Sequence, residues 1–245
     1  MSHKTPTIKE GAFIVTDAHY SHIRKDFFYF LQDIDQEKLQ PTQLVLMGDI
    51  FDTLFGQLSL TQSINKEAIT LLNKISLKID VIYLEGNHDF NIKKIFKNIQ
   101  VFPLSSQPVL CEIEGKKVLL AHGDFATDTR YKIYTSIIRN PFVMSFISMI
   151  DSLLGHSIFK KLDDYLSKKD DCKEFQGFES FIMKRLVGKY VCDYFIEGHY
   201  HQNKRFHFKE FIYINLGAFA CNQRYFIVKL SQIELLEENI FSRER

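Results

Sequence analysis

Five short apolar runs along the chain each end at a small polar group. The runs cover residues 12–15, 44–47, 81–84, 118–121 and 195–196. A short apolar run that stops at glycine or polar residues is typical of a buried β-strand. The pattern therefore predicts strands, each followed by a loop that carries polar side chains.

Helical spacing separates the first three of these strands. Residues 25–34 and 60–77 place apolar side chains three or four positions apart, which is the spacing of one helix face. Strands that alternate with helices form a parallel sheet covered by helices. Because open α/β sheets place their sites at the carboxyl ends of the strands, we expect the polar loops to meet there.

The pattern changes after residue 108. Residues 109–113 and 118–121 are apolar runs joined by a hairpin-like turn, and four more short runs follow between residues 195 and 230. Short strands joined by turns predict a second sheet, mixed or antiparallel, packed on the first.

A long helical stretch lies between these two β-rich parts. Residues 129–191 have helical spacing without a strand signal, and their first half is rich in apolar and basic side chains. We predict a helical cap over about residues 129–191. It is inserted beside His122 into a single domain that spans residues 1–245.

Composition excludes several classes of protein. With 45% hydrophobic residues, a chain of 245 residues can form the core of one soluble globular domain. The formal net charge of +1 gives no overall field that favours nucleic acid. The N-terminus is polar, and no apolar run approaches the roughly 20 residues that span a bilayer, so export and membrane spanning are not expected.

The cysteines are far apart in the sequence and form no Cys-x-x-Cys pair. They are Cys111, Cys172, Cys192 and Cys221. Without a paired spacing we expect reduced thiols in a cytosolic protein, and we do not expect these thiols to bind metal.

The polar side chains after the five strands have the chemistry of metal ligands. They are Asp17, His19, Asp49, Asn87, His122, His199 and His201. Divalent transition metals such as Mn²⁺ accept carboxylate, imidazole and amide oxygen ligands. Each motif is common by itself in loops and turns. Their occurrence together, each at a strand end, indicates one site.

A pair of metal ions needs a shared ligand. The Asp49 carboxylate can bind two ions through its two oxygens, whereas an imidazole ligates one ion. The other ligands divide into two sets, one of Asp17, His19 and His201 and one of Asn87, His122 and His199. Ions about 3.5–4 Å apart hold a bridging water and lower its pKa, which predicts hydrolysis of a phosphate ester or anhydride by a metal-bridging hydroxide. We expect Asp52 and Asp124 to hold ligand imidazoles in the correct tautomer.

These motifs resemble the signature of the calcineurin-like metallophosphoesterases. They are Asp17-x-His19, Gly48-Asp49-x-x-Asp52, Gly86-Asn87-His88-Asp89, His122-Gly123-Asp124 and Gly198-His199-x-His201. The resemblance implies a four-layer α/β/β/α sandwich and the metal ligands given above. It also implies that His88 contacts the substrate phosphate or protonates the leaving group, and that Asp89 orients His88.

The chain is most similar to one branch of that family, the UDP-2,3-diacylglucosamine pyrophosphatases of lipid A synthesis. The similar segments are residues 51–56 and 216–218, and His122-Gly123-Asp124 with Thr127, Asp128 and Tyr131. The resemblance implies attack at the α-phosphorus of the pyrophosphate, with release of UMP and 2,3-diacylglucosamine 1-phosphate. It also implies that the cap helps to enclose the acyl chains. The predicted substrate-binding residues are Asn87, His88, Asp128, Tyr131 and Arg139.

His88 departs from this branch, which commonly has arginine at the same position. The change leaves the metal ligands intact but replaces a permanently charged phosphate contact by a titratable one. A cap with an apolar and basic face also predicts a cytoplasmic enzyme that sits peripherally on the inner membrane surface. We expect a lipid-linked sugar nucleotide substrate and no nucleic-acid partner, and the sequence leaves the oligomeric state open.

Two other functions are compatible with parts of the sequence. A phosphodiesterase or nuclease would use the same metal site, but nucleic-acid grooves need dense Lys and Arg with stacking aromatic side chains. A non-catalytic interaction module would have no reason to retain all of the ligand types. An assay that compares hydrolysis of UDP-2,3-diacylglucosamine with hydrolysis of a generic aryl phosphate distinguishes the lipid pyrophosphatase from these two functions.

Overall fold

The computed structural model describes residues 5–125, 129–167, 172–229 and 234–239, and two β-sheets lie at its centre. The strands in this part of the chain are β1 (Phe13–Val15), β2 (Gln43–Leu46), β3 (Leu54–Phe55), β4 (Asp80–Leu84), β5 (Asp89–Phe90), β6 (Gln100–Phe102), β7 (Val109–Ile113), β8 (Lys116–Ala121), β9 (Tyr194–Glu197), β10 (Lys204–His207), β11 (Ile212–Asn215), β12 (Arg224–Lys229) and β13 (Glu234–Asn239). All of the predicted strand regions contain strands.

The larger sheet has the strand order β13-β12-β1-β2-β4-β6, and the second has the order β10-β11-β9-β8-β7. Strands β1, β2, β4 and β6 run parallel to one another. In the second sheet β8, β9 and β11 are parallel, whereas β7 and β10 are antiparallel to their neighbours. The second sheet is therefore mixed, in agreement with the prediction.

The helices in the described ranges are α1 (Asp26–Asp35), α2 (Ser59–Ile64), α3 (Lys66–Ile75), α4 (Thr129–Ile138), α5 (Pro141–Leu153), α6 (Ser157–Ser167), α7 (Phe178–Leu186) and α8 (Phe219–Asn222). Helix α1 matches its prediction. The continuous helix predicted over residues 60–77 is wrong, because α2 and α3 meet at Asn65. The Asn65 side chain donates to the carbonyls of Thr53 and Thr61, a bonding pattern that competes with regular helix.

Successive side chains of a strand point to opposite faces of its sheet, so the core is divided into a layer on each face. In β1, Phe13 and Val15 pack in one cluster with the buried residues of α1 and α3. Ile14 faces the other way and packs between the two sheets beside Val118. Helix α7 covers the outer face of the second sheet through Ile182. The order helix, sheet, sheet, helix confirms the four-layer fold.

The predicted cap region contains two structurally different parts. Helices α4, α5 and α6 follow one another at its start, and Met144 of α5 packs on Phe55, Leu58 and Phe90. Helix α7 instead belongs to the outer layer of the sandwich. Helices α4 to α6 therefore form one part of the predicted cap region and α7 another, and the bounds of the insertion stay a prediction.

Among the described residues, no single helix is long and apolar enough to cross a membrane. Arg130–Ile138 and Pro141–Leu153 satisfy these criteria only together, as a pair bent by 64°.

Two of the cysteines form a disulfide bond. Cys172, which follows the cap, is joined to Cys221 of α8, and their Cα atoms lie 5.7 Å apart. Cys111 and Cys192 are buried free thiols, as predicted. The prediction of reduced thiols is wrong for Cys172 and Cys221, because the fold brings together residues 49 positions apart in the chain.

Removing this crosslink should lower the free energy of unfolding. A disulfide of this kind is worth about 2–4 kcal/mol, largely through the restricted unfolded chain. We expect the Cys172→Ser/Cys221→Ser variant to lose about that amount in urea unfolding. Wild-type protein treated with a dithiol should match the variant, and the variant should not respond to the dithiol. Equal urea midpoints for the untreated wild type and the variant would contradict the prediction.

Candidate active site

The polar loops predicted from the sequence meet at one edge of the two sheets. The loops after β1, β2 and β4 come from the larger sheet, and those after β8 and β9 come from the second. Five of the predicted ligands have left-handed backbone, with φ between 46° and 64°. They are Asp17, His19, Asp49, His199 and His201. Residues other than glycine rarely adopt this conformation, and such strain is concentrated at functional sites.

One group of donors contains Asp17, His19 and His201, with one donor atom from each within 4.8 Å of the others. The Oδ1 atom of Asp17 is 3.0 Å from Nε2 of His201. Nδ1 of His19 lies 3.1 Å from Oδ1 of Asp52. An imidazole held through Nδ1 by a carboxylate uses Nε2 as its ligand nitrogen. Asp52 thus lies where the sequence analysis expects it, against a candidate ligand.

A second group contains Asp49, His122 and His199, again with donor atoms within 4.8 Å of one another. Nε2 of His122 lies 3.3 Å from Oδ2 of Asp49 and 3.4 Å from Oδ1 of Asn87. The backbone N–H of His199 donates to Oδ2 of Asp17 at 2.9 Å, which places the two groups side by side. The structure places Asp49 in the second group, and its predicted role as a shared ligand stays a prediction.

Two glycines allow the loops to approach this closely. Gly48 has a φ of +88°, and a Cβ atom there would lie 2.5 Å from Nδ1 of His122. A Cβ atom at Gly86 would overlap Oδ1 of Asp49. Only the absence of a side chain lets loops from different strands touch here.

The buried Asp89 carboxylate connects the loops after β2 and β4. Its Oδ1 accepts hydrogen bonds from the backbone N–H groups of Asp49 at 3.0 Å and Gly86 at 2.9 Å. Its Oδ2 accepts from the backbone N–H of Ile50 and from the Tyr83 hydroxyl, both at 2.6 Å. Burial and then the charge of Asp49 raise the pKa of Asp89 to about 7, against the effect of these hydrogen bonds.

His88 is oriented by Asp52 rather than by Asp89. Its Nδ1 donates to the backbone carbonyl of Asp52 at 2.9 Å, and its Nε2 lies 3.8 Å from Oδ2 of Asp49. The predicted orienting role of Asp89 is wrong, because its carboxylate is used by backbone N–H groups and Tyr83.

Asp124 contacts the cap rather than a ligand imidazole. Its Oδ2 lies 3.3 Å from Nη2 of Arg139 and 3.5 Å from the Tyr131 hydroxyl. The predicted role for Asp124 is wrong, because Nδ1 of His122 donates to the carbonyl of Met47 at 2.9 Å.

Arg139 lies next to the site, but its guanidinium contacts the protein itself. Nη2 donates to the carbonyl of Gly86 at 2.9 Å, and Nη1 is 3.6 Å from Oε2 of Glu85. A phosphate contact by Arg139 or Tyr131 stays a prediction. Asp128 lies outside the described residues.

A buried ion pair that the sequence pattern did not predict lies behind two of the ligand loops. Arg185 of α7 contacts Glu197, the last residue of β9, through two hydrogen bonds of 2.8 Å. Its Nη2 also donates to the carbonyl of Gly123 at 2.6 Å, directly after His122. The sequence does carry a signal for this pair. Arg185 interrupts the apolar pattern of a helix, and Glu197 ends an apolar strand, and such charges are rarely buried unless they are paired.

The candidate ligands modify one another's acidity. Burial raises the pKa of Asp49, but the charges of His122 and His88 outweigh it and hold that pKa well below its usual range. Burial and the charge of His122 lower the pKa of His199 to about 3, so this imidazole is neutral near neutral pH. Burial lowers the pKa of His122, and the charge of Asp49 more than reverses this, so its net pKa is raised. Metal binding at His122 therefore requires loss of a proton.

This donor set fits a pair of divalent ions. The carboxylates and His19 and His122 are almost completely buried, and buried charges of this density need a counter-charge. Carboxylate, imidazole and amide donors together suit Mn²⁺, Fe²⁺, Co²⁺, Ni²⁺ and Zn²⁺.

Replacing Asp89 by asparagine should destabilise the protein. The new amide would direct an NH₂ group at donors that now face a carboxylate, at a cost of about 3 kcal/mol. Urea unfolding of the metal-free Asp89→Asn variant measures this loss. The control is Asp80→Asn, which removes an exposed ion pair with Lys9 and should cost less than about 1 kcal/mol. Equal stability of the two variants would refute the role given to Asp89.

Curated proteins named UDP-2,3-diacylglucosamine hydrolase are similar to this chain. The protein from Psychromonas ingrahamii is 28% identical over 200 residues, which cover 77% of this chain and 79% of that protein. The protein from Vibrio atlanticus is 22% identical over 198 residues, which cover 78% of this chain and 80% of that protein.

Among solved structures, an archaeal phosphodiesterase aligns over 94% of this chain and 99% of its own, with 15% identity and a TM-score of 0.47. A sequence model of the calcineurin-like phosphoesterases matches residues 13–203, which is most of the chain. The protein therefore belongs to the calcineurin-like phosphoesterase family.

Proposed function

We propose that the protein cleaves the pyrophosphate of UDP-2,3-diacylglucosamine to UMP and 2,3-diacylglucosamine 1-phosphate. Family membership makes it a metal-dependent phosphoesterase, and the observation that carries its chemistry is the meeting of two donor groups beside Asp49. Two features support the lipid substrate. They are the name shared by the relatives at 22–28% identity and the apolar cap described below.

The metal ligands in this proposal are those predicted from the sequence, with Asp49 shared between the two groups. When bound, two divalent ions, here proposed as Mn²⁺, lower the pKa of water and offset the charge of the phosphate oxygens. Attack at the α-phosphorus breaks its bond to the bridging oxygen. The oxygen from water stays on UMP, and the bridging oxygen leaves with the lipid phosphate.

His88 is the proton donor in this proposal. The Asp52 carbonyl accepts from Nδ1–H in either protonation state of the ring, so the proton on Nε2 is the one that can move. Nε2 faces the Asp49 carboxylate at 3.8 Å, on the side of the candidate ligands. From there a protonated His88 can donate to a phosphate oxygen or to the leaving bridging oxygen.

Helix α5 exposes an apolar stripe that could accept acyl chains. Phe142, Phe146, Met149 and Leu153 recur at helical spacing and are 84%, 59%, 53% and 80% exposed. Arg139, just before α5, contacts the carbonyl of Gly86 beside the site. An apolar surface this large, next to a phosphate site, suits a substrate with two acyl chains.

We also propose that the same cap holds the enzyme on the cytoplasmic surface of the inner membrane. Exposed cations lie on the helices before and after α5, namely Arg130 and Lys132 on α4 and Lys160 and Lys161 on α6. A basic and apolar face binds anionic lipid through charge and shallow insertion.

The direct test is UMP release from UDP-2,3-diacylglucosamine by the purified protein with Mn²⁺. In H₂¹⁸O the label should appear in UMP and not in the lipid phosphate. The Asp49→Asn variant should lose about 100-fold or more in rate, because a shared charged ligand is removed. The control Asp80→Asn should keep full activity.

Each other outcome of this assay has a defined meaning. Hydrolysis of an aryl phosphate without UMP release would remove the lipid substrate and leave a phosphoesterase. Full activity of Asp49→Asn would contradict the shared ligand. Label in the lipid phosphate would place the attack on the other phosphorus.

Polar substitutions on the α5 stripe should weaken membrane binding. Burial of one such side chain is worth about 1.5–3 kcal/mol, so Phe142→Ser/Leu153→Ser should bind anionic phospholipid vesicles at least about tenfold more weakly. Its rate on a water-soluble aryl phosphate should not change. The matched control is Leu77→Ser, which alters a side chain that is 74% exposed outside the cap. Equal vesicle binding by all three proteins would rule out the membrane role of the stripe.

A further inference from the structure

One buried guanidinium contacts the ends of both β8 and β9. The two loops that follow these strands also share hydrogen bonds from the Gly198 N–H to the His122 carbonyl at 2.9 Å and from the Tyr200 hydroxyl to the Gly123 carbonyl at 3.1 Å. Arg185 is 6% exposed, and it contacts both oxygens of Glu197 and the carbonyl of Gly123. Its guanidinium carbon lies 4.8 Å from the centre of the Phe125 ring and 5.5 Å from that of Tyr200. An arginine fork with acceptors on two loops and aromatic rings beside it restrains both loops.

These two loops carry the imidazoles of the second donor group. His122 directly precedes Gly123, and His199 is two residues beyond Glu197. The two imidazole centres lie 4.9 Å apart. At Gly123 a Cβ atom would lie 2.7 Å from Cβ of His199, so the loops are in direct contact. Movement of the Gly123 carbonyl would therefore change the distance between these imidazoles.

The first donor group depends less on this contact. Asp17 and His19 lie on the loop after β1, in the other sheet. The Asp17 N–H donates to the Gly48 carbonyl, and the His19 N–H donates to the Asp49 carbonyl, both at 3.0 Å. Two of the three donors are thus held from the larger sheet.

We infer that Arg185 is a positioning residue that sets the spacing of His122 and His199, and thereby affects the affinity of the second metal site more than that of the first. The inference rests on the proposed dinuclear site, and it extends that proposal to a residue that touches neither metal nor substrate. Groups that orient metal ligands from behind are typically worth about 10–100-fold in metal affinity.

The test is titration of metal-free protein with Mn²⁺. Calorimetry measures the affinity for each ion, and electron paramagnetic resonance detects whether the bound ions form a coupled pair. Arg185→Lys keeps the positive charge but removes the planar guanidinium that donates to Glu197 and to the Gly123 carbonyl at the same time. Arg185→Met/Glu197→Gln removes the Gly123 contact without leaving a buried unpaired charge. Wild type should bind two ions and give the signal of a coupled pair. Both variants should bind one ion with wild-type affinity and the second about 10–100-fold more weakly, with a single-ion signal at intermediate Mn²⁺.

Tyr213→Phe is the matched control. The Tyr213 hydroxyl donates to Oε2 of Glu197 at 2.9 Å, so its loss weakens the same buried cluster without removing the contact between Arg185 and Gly123. This variant should have a lower melting temperature and unchanged binding of both ions.

Three results would overturn the inference. The first is wild-type affinity for both ions in both Arg185 variants. The second is an equal loss at both sites, and the third is a loss in Tyr213→Phe as large as that in Arg185→Lys. Because the titration uses no substrate, a wild type that binds two ions but releases no UMP would refute the proposed function and leave this inference in place.

Discussion

The Asp89 carboxylate accepts hydrogen bonds from two loops that follow neighbouring strands, and the geometry of the candidate site depends on it. Its donors are backbone N–H groups of the loops after β2 and β4, together with the buried Tyr83 hydroxyl. Asp49 in turn accepts the backbone N–H of His88 at 2.8 Å. The proposed shared ligand, on the loop after β2, is therefore restrained through both its backbone and its side chain by the loop after β4. Such a network restrains backbone position directly, which side-chain contacts alone would not do.

The strained backbone at the site is possible because of this restraint. The left-handed conformations at five candidate ligands each oppose folding by roughly 1–3 kcal/mol, and such residues persist only where the surrounding structure determines them. The sandwich supplies that structure, since each loop leaves a buried strand. The glycines at positions 48 and 86 remove the side chains that would keep the loops apart. As a result, donors from five loops face one small volume, an arrangement that suits metal catalysis.

Two arginines connect the helical layers to this site. Arg139 links the cap to the loop that carries Asn87 through the Gly86 carbonyl, and to the loop after β8 through Asp124. Arg185 links the outer helix to the loops that carry His122 and His199. The Arg185 contact belongs to the sandwich itself, where α7 packs on the second sheet.

Local pattern in the sequence was sufficient to predict the strands, the two packed sheets and the side chains that come together after the strand ends. Each of these depends on residues within a few positions of one another, as Asp49 does on the apolar run before it. The four-layer order was implied by the resemblance to the calcineurin-like metallophosphoesterases. The sequence also predicted that Asp52 orients a ligand imidazole. Tertiary structure alone decided that this imidazole is His19, that the Asp52 carbonyl also orients His88, and that the Met47 carbonyl orients His122. It also decided the true partners of Asp89 and Asp124, the disulfide, the division of the cap region and the pairing of Arg185 with Gly123, 62 positions away. These contacts depend on strand register and on the packing of one sheet against another. A local pattern of apolar and polar residues carries no information about which distant backbone group will face a given side chain.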